Sequence, residues 1–112
     1  KVNVFRTPEI TENHLKSNIF PSHLRAWRIS TYQKVGGHDI NLDICDDYDL
    51  IIKTMLNTTS CQIKEPLYIW NFGNNDTTTF QYDKNFLISY RNKILEKYYD
   101  KLQSLKIKVI NT

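Results

Sequence analysis

Residues 24–45 read LRAWRISTYQKVGGHDINLDIC, two runs of alternating apolar and polar side chains on either side of Gly36-Gly37. A period of two marks a half-buried strand, and a two-residue Gly-Gly link suits a tight hairpin because both positions can take positive φ. Setting Val35 opposite His38 gathers Trp27, Ile29, Thr31, Val35, Ile40, Leu42 and Ile44 on one apolar face. The other face carries Arg28, Ser30, Tyr32, Lys34, Asp39, Asn41, Asp43 and Cys45. There Lys34 opposes Asp39 and Arg28 is diagonal to Asp43, so register and charge pairing agree. The expectation is a β-hairpin with one face in a core.

Working outward, "DDYDLIIKTMLN" predicts a helix. Asp46 stands as N-cap, Asp47 and Asp49 sit where the helix dipole favours anions, and Tyr48, Ile51, Ile52, Met55 and Leu56 recur at helical spacing. Residues 57–60 read as a polar loop. "PLYIWNFGNNDTTTFQYD" predicts a second hairpin reversing at Gly73–Asp76, with Leu67, Ile69, Phe80 and Tyr82 on one face and Tyr68, Trp70 and Phe72 on the other. Asp83 then caps a long helix whose stripe is Leu87, Tyr90, Ile94, Tyr98, Leu102 and Leu105, and "KIKVI" closes the chain as a strand. Before the first hairpin, Thr7-Pro8-Glu9 predicts the start of a short, weakly amphipathic helix that Pro21 stops. Residues 1–23 are therefore expected to be an N-terminal extension and 24–112 a single α+β domain.

A chain of 112 residues is long enough for one core without metals or disulfide staples. It begins at Lys1 rather than Met, and is expected to be a piece of a longer protein. No apolar run approaches the roughly 20 residues of a membrane helix. Cys45 and Cys61 are expected to be reduced thiols in an intracellular protein, cytoplasmic or nuclear. The formal charge of +3 conceals a segregation. Residues 1–38 carry six Lys/Arg against two Asp/Glu, 39–83 carry two against eight, and 84–112 carry seven against two. Such a chain can neutralise its own blocks on folding or offer opposite signs to partners.

The predicted order, an extra N-terminal helix followed by ββαββαβ with a long last helix, resembles ubiquitin and its relatives. The similarity is closest over Trp27–Leu56. The strand "LRAWRI" is similar to the first strand of Ras-association domains, which are built on the same roll. That resemblance implies a ubiquitin-like α+β fold and basic residues that meet an acidic protein partner, such as a small GTPase.

For chemistry, Asp43, Asp46, Asp47 and Asp49 lack the alternating ligands and central Gly of a calcium loop. Capping and cross-strand pairing already employ them. His14, His23 and His38 have no metal-ligand spacing, and three glycines form no phosphate cradle of a known type. No nucleophile motif occurs, so no catalytic, metal or cofactor site is assigned and the chain is read as non-catalytic. The first candidate function is a protein-interaction domain, with Arg25, Arg28, Tyr32, Lys34 and Lys53 as a basic patch for an acidic partner. A second candidate is nucleic-acid binding, with Tyr68, Trp70 and Phe72 as a stacking platform and Lys93, Lys97 and Lys101 on phosphates. A third is a structural or oligomerisation domain. Three adjacent exposed rings would be costly in water, so the aromatic hairpin is expected to face the core beneath the last helix.

Overall fold

The computed structural model describes Val4 and residues 7–21, 23–69 and 83–111. In chain order the elements are helices α1 (Glu12–Lys16), α2 (Ile29–Lys34) and α3 (Asp46–Asn57), strand β1 (Thr59–Gln62), helices α4 (Lys84–Glu96) and α5 (Tyr99–Ser104), and strand β2 (Lys108–Asn111). The two strands pair in parallel, Thr59 with Lys108 through Gln62 with Asn111.

α3 is the centre of the molecule. Tyr48, Leu50, Ile51, Ile52 and Met55 are buried, and so are Asp49 and Thr54, so the helix is enclosed on most of its circumference. Around it pack Ile10 and Leu15 from the N-terminal segment, Ile94 and Leu95 from α4, and Leu102 from α5. Each such side chain contributes roughly 1.5–3 kcal/mol through apolar burial. Polar anchors fix the wrapping. Tyr48 Oη donates to the Leu15 carbonyl at 2.5 Å, and Trp27 Nε1 donates to Thr54 Oγ1 at 3.1 Å. α1 starts at Thr11 rather than at the expected Thr7, because Thr11 and His14 form a reciprocal cap. Thr11 Oγ1 accepts from His14 N at 3.3 Å, and His14 Nδ1 accepts from Thr11 N at 3.1 Å.

The ubiquitin-like ββαββαβ roll is overturned. Residues expected as the first β-hairpin contain α2, and Gly36 and Gly37 end that helix instead of reversing a hairpin. Gly37 N donates to Tyr32 O at 2.8 Å and Gly36 N to Gln33 O at 3.1 Å, the two bonds of a Schellman stop. Both glycines do have positive φ, +85° and +68°. The backbone requirement read from the sequence is present, but a helix terminus meets it as well as a hairpin does. The apolar face of the alternation does not survive: Ile44 is buried, whereas Ile29 is 75% and Ile40 95% exposed.

The remaining differences are long-range. Thr59–Gln62, which starts inside the expected polar loop of residues 57–60 and runs past it, is a strand because β2 lies beside it. Ile63–Ile69 has no regular structure and is exposed, Leu67 and Ile69 included, and Trp70, Phe72, Phe80 and Tyr82 of the second expected hairpin lie outside the described residues. The long helix divides at Lys97–Tyr98, where both amides reach back to carbonyls three residues earlier, Ile94 and Leu95. No helix among the described residues is long and apolar enough to cross a membrane.

Candidate functional site

The division between α4 and α5 coincides with the most polar point of the core. Asp49, in the first turn of α3, is 1% exposed. Its Oδ1 accepts from Lys97 Nζ at 2.8 Å and from Tyr98 Oη at 2.6 Å, the two residues at the helix break. Its Oδ2 has the Lys53 ammonium at 3.3 Å, one helical turn along, without a well-aligned hydrogen bond. Lys97 reaches a second carboxylate, Asp39, at 3.5 Å. Two ammonium groups thus meet two carboxylates, and the node is neutral.

The titration behaviour follows from this arrangement. Burial alone would raise the Asp49 pKa, but the hydrogen bonds from Lys97 and Tyr98 and the two lysine charges outweigh it, and the pKa falls below the ordinary carboxylate value. Burial would lower the Lys97 pKa, and the Asp49 contact reverses that. The Tyr98 hydroxyl is pushed up, first by burial and then by its bond to Asp49. An ionised, enclosed carboxylate held by two hydrogen-bond donors and a second lysine charge is a structural hub.

Beside the hub lies a notch of about 280 Å³, lined by Leu42, Tyr90, Lys93, Ile94 and Lys97. Its geometry comes from the turn before α3 running antiparallel to α4. Asp39 meets Lys97 at one end, and at the other Tyr90 Oη accepts from Asp43 N at 3.2 Å. Leu42, between them, faces Ile94 and Tyr90. One turn earlier on α4, the half-exposed Phe86 ring lies 6.0 Å from Tyr90 and extends the apolar surface. Lys93 is exposed on the rim, and among the described residues it joins none of the ion pairs found.

A second pocket, about 290 Å³, is polar. It holds Cys45, Arg25, Arg91 and the carboxylates of Asp43, Asp46 and Asp47. Arg25 is committed to Asp47 at 3.1 Å and to the Pro21 carbonyl at 2.7 Å. The guanidinium groups of Arg25 and Arg91 lie 5.6 and 5.2 Å from the Phe20 ring, which in turn packs on Tyr48 at 5.1 Å. Burial raises the Cys45 pKa despite Arg91, so the thiol stays protonated at neutral pH and is a weak nucleophile. Cys45 and Cys61 are both free thiols. Among the described residues no group of three or more His, Cys, Asp or Glu is placed to hold a metal ion.

The chain matches no protein-family model, no curated protein and no solved structure.

Of the expected partner-binding residues, Arg25 and Lys53 are tied into internal ion pairs, with Asp47 and Asp49. Arg28 is the exposed N-cap residue of α2 and Lys34 its exposed last residue. Tyr32 folds back, its hydroxyl 2.7 Å from His38 Nδ1 and its ring against Gly37. Of the alternative set, Tyr68 is half exposed and stacks on His23 at 5.3 Å, while Trp70 and Phe72 lie outside the described residues. Lys93 and Lys101 are exposed, whereas Lys97 is spent on Asp49 and Asp39. By local pattern Asp49 is one of the dipole-stabilising acids, and the hub is a tertiary feature. The i,i+4 spacing of Asp49 and Lys53 was its one legible trace.

Proposed function

We propose that the chain is a non-catalytic protein-interaction domain that recognises an acidic partner. One observation carries the reading: an apolar notch opens to solvent on α4, rimmed by Lys93, within a C-terminal block carrying seven Lys/Arg against two Asp/Glu. The volume supports it too. About 280 Å³ falls at or below the lower end of pockets that enclose a small-molecule ligand, and suits one side chain presented by a larger partner. The enclosed ionisable groups are neutralised among themselves, which favours binding over proton-transfer chemistry.

The test is affinity capture on the immobilised chain, followed by calorimetry with each purified candidate at two salt concentrations. The expected result is a protein with an acidic segment whose affinity falls moderately as salt rises. Oligonucleotides binding at low salt, with a steep loss at moderate salt and no protein ligand, would replace the reading with nucleic-acid binding. The commitment of Lys97 to two carboxylates weighs against that alternative, since it removes the middle of the lysine series proposed for phosphates.

A further inference from the structure

We infer that the α4 notch is the docking point, and that it takes one large apolar side chain flanked by carboxylates on an acidic peptide segment of the partner. This rests on the proposed interaction function and deepens it by naming the surface and the chemistry it selects.

The floor is apolar because Leu42, Tyr90 and Ile94 supply it. An aliphatic side chain seated there removes apolar surface from water on both sides. The walls are held from outside the notch. Asp39 on Lys97 and the Asp43 amide on Tyr90 pin the turn to α4, so the cleft is formed before a ligand arrives. The charge preference is set by Lys93. Lys97 is already balanced by Asp49 and Asp39, which leaves the Lys93 ammonium as the rim cation with no ion pair among the described residues. A carboxylate beside the seated side chain complements it, and a cationic segment is repelled. A small free acid would fill little of the floor, and a bare phosphate backbone would bring nothing apolar to it. The combination selects an acidic segment with an apolar anchor.

The experiment is an amide-resolved NMR titration of the full 112-residue chain. Its probe is the synthetic peptide acetyl-Gly-Glu-Glu-Leu-Glu-Asp-Gly-amide at up to millimolar concentration. Saturable shifts centred on the amides of Leu42, Tyr90, Lys93 and Ile94 are expected. Replacing the peptide Leu by Ser should weaken binding more than about tenfold, from the lost apolar burial. Lys93→Glu, at an exposed position, should weaken it about fivefold or more while leaving the chain folded. Equal binding by the Ser peptide, or by Lys93→Glu, overturns the inference. So does the absence of shifts with the wild-type chain, and so do concentration-dependent shifts of the same amides without peptide, which would assign the notch to a second copy. A captured protein partner that ignores Lys93→Glu but is lost on Arg28→Glu with Lys34→Glu would end the notch assignment while leaving the interaction function standing.

Discussion

Replacing Asp49 by Ala tests whether its carboxylate holds α3, α4 and α5 together. The substitution removes the acceptor of Lys97 and Tyr98 and the counter-charge of Lys53 at once. Breaking a buried ion pair from one side costs about 3–5 kcal/mol, because a charge stays behind without a partner. The two lysines differ in how far they can escape. The Lys97 side chain is 45% exposed and retains Asp39, so it can turn to water. The Lys53 side chain is 14% exposed and carries most of the stranded charge. Tyr98 loses an acceptor in a half-buried setting, worth about 1 kcal/mol or more. The expected loss is therefore about 3 kcal/mol, at the lower end of the range. In urea unfolding followed by circular dichroism, with a slope of about 1.5 kcal/mol per molar, the midpoint should fall by about 2 M. Asp49→Asn keeps an oxygen for Tyr98 and should lose less. A destabilisation below about 1 kcal/mol for Asp49→Ala, the value of an exposed pair, would refute the hub.

Acid should act through the same carboxylate: the folded-state pKa of Asp49 is depressed, so its contribution is full above the unfolded value near 4 and is lost as pH falls through the lower folded value. The urea midpoint of the wild type should approach that of Asp49→Asn only below about pH 4. At the alkaline end, burial pushes the Tyr48 hydroxyl up to about 12, so the folded state holds its proton longer than the unfolded chain. Stability should decline from about pH 10 upward, and Tyr48→Phe should flatten that decline in the same assay. Gly37→Ala places a Cβ 2.9 Å from Tyr32 Cε1 at φ +68°, whereas Gly36→Ala meets open space at φ +85°. Gly36→Ala should cost about 1 kcal/mol for the left-handed backbone and Gly37→Ala clearly more, and equal thermal shifts would contradict the packing of Tyr32. Thr11→Ala, which removes the cap of α1, should lower stability by about 1 kcal/mol in thermal unfolding.

Some of the architecture is written locally in the residues. Tyr48, Ile51, Ile52 and Met55 recur at helical spacing from an acidic first turn, and they are buried on α3. Leu87, Ile94 and Leu102 are likewise buried on the helices where their stripe places them. "KIKVI" does contain a strand. These elements are legible because a periodic stripe and an acidic first turn express their energetics within a few residues. The candidate site is less so. Lys93 and Lys101 are on the exposed surface, but Leu42 and Tyr90 become walls of one notch only because the turn before α3 lies along α4.

Local pattern places α3 and the start of α4 by their apolar stripes, and puts Gly36 and Gly37 at positive φ. Tertiary structure alone decided what that backbone requirement serves. A hairpin turn and a Schellman stop both satisfy it, and the choice rests on whether a partner strand is present, which no local pattern records. The same holds for Thr59–Gln62, a strand only beside β2, and for Lys97–Tyr98, where two side chains drawn to a carboxylate 48 and 49 positions earlier accompany the break in an otherwise continuous stripe. Propensity is a local free energy of tenths of a kcal/mol per residue. Pairing a strand or satisfying a buried charge is worth several kcal/mol, and the residues that supply it lie far away along the chain.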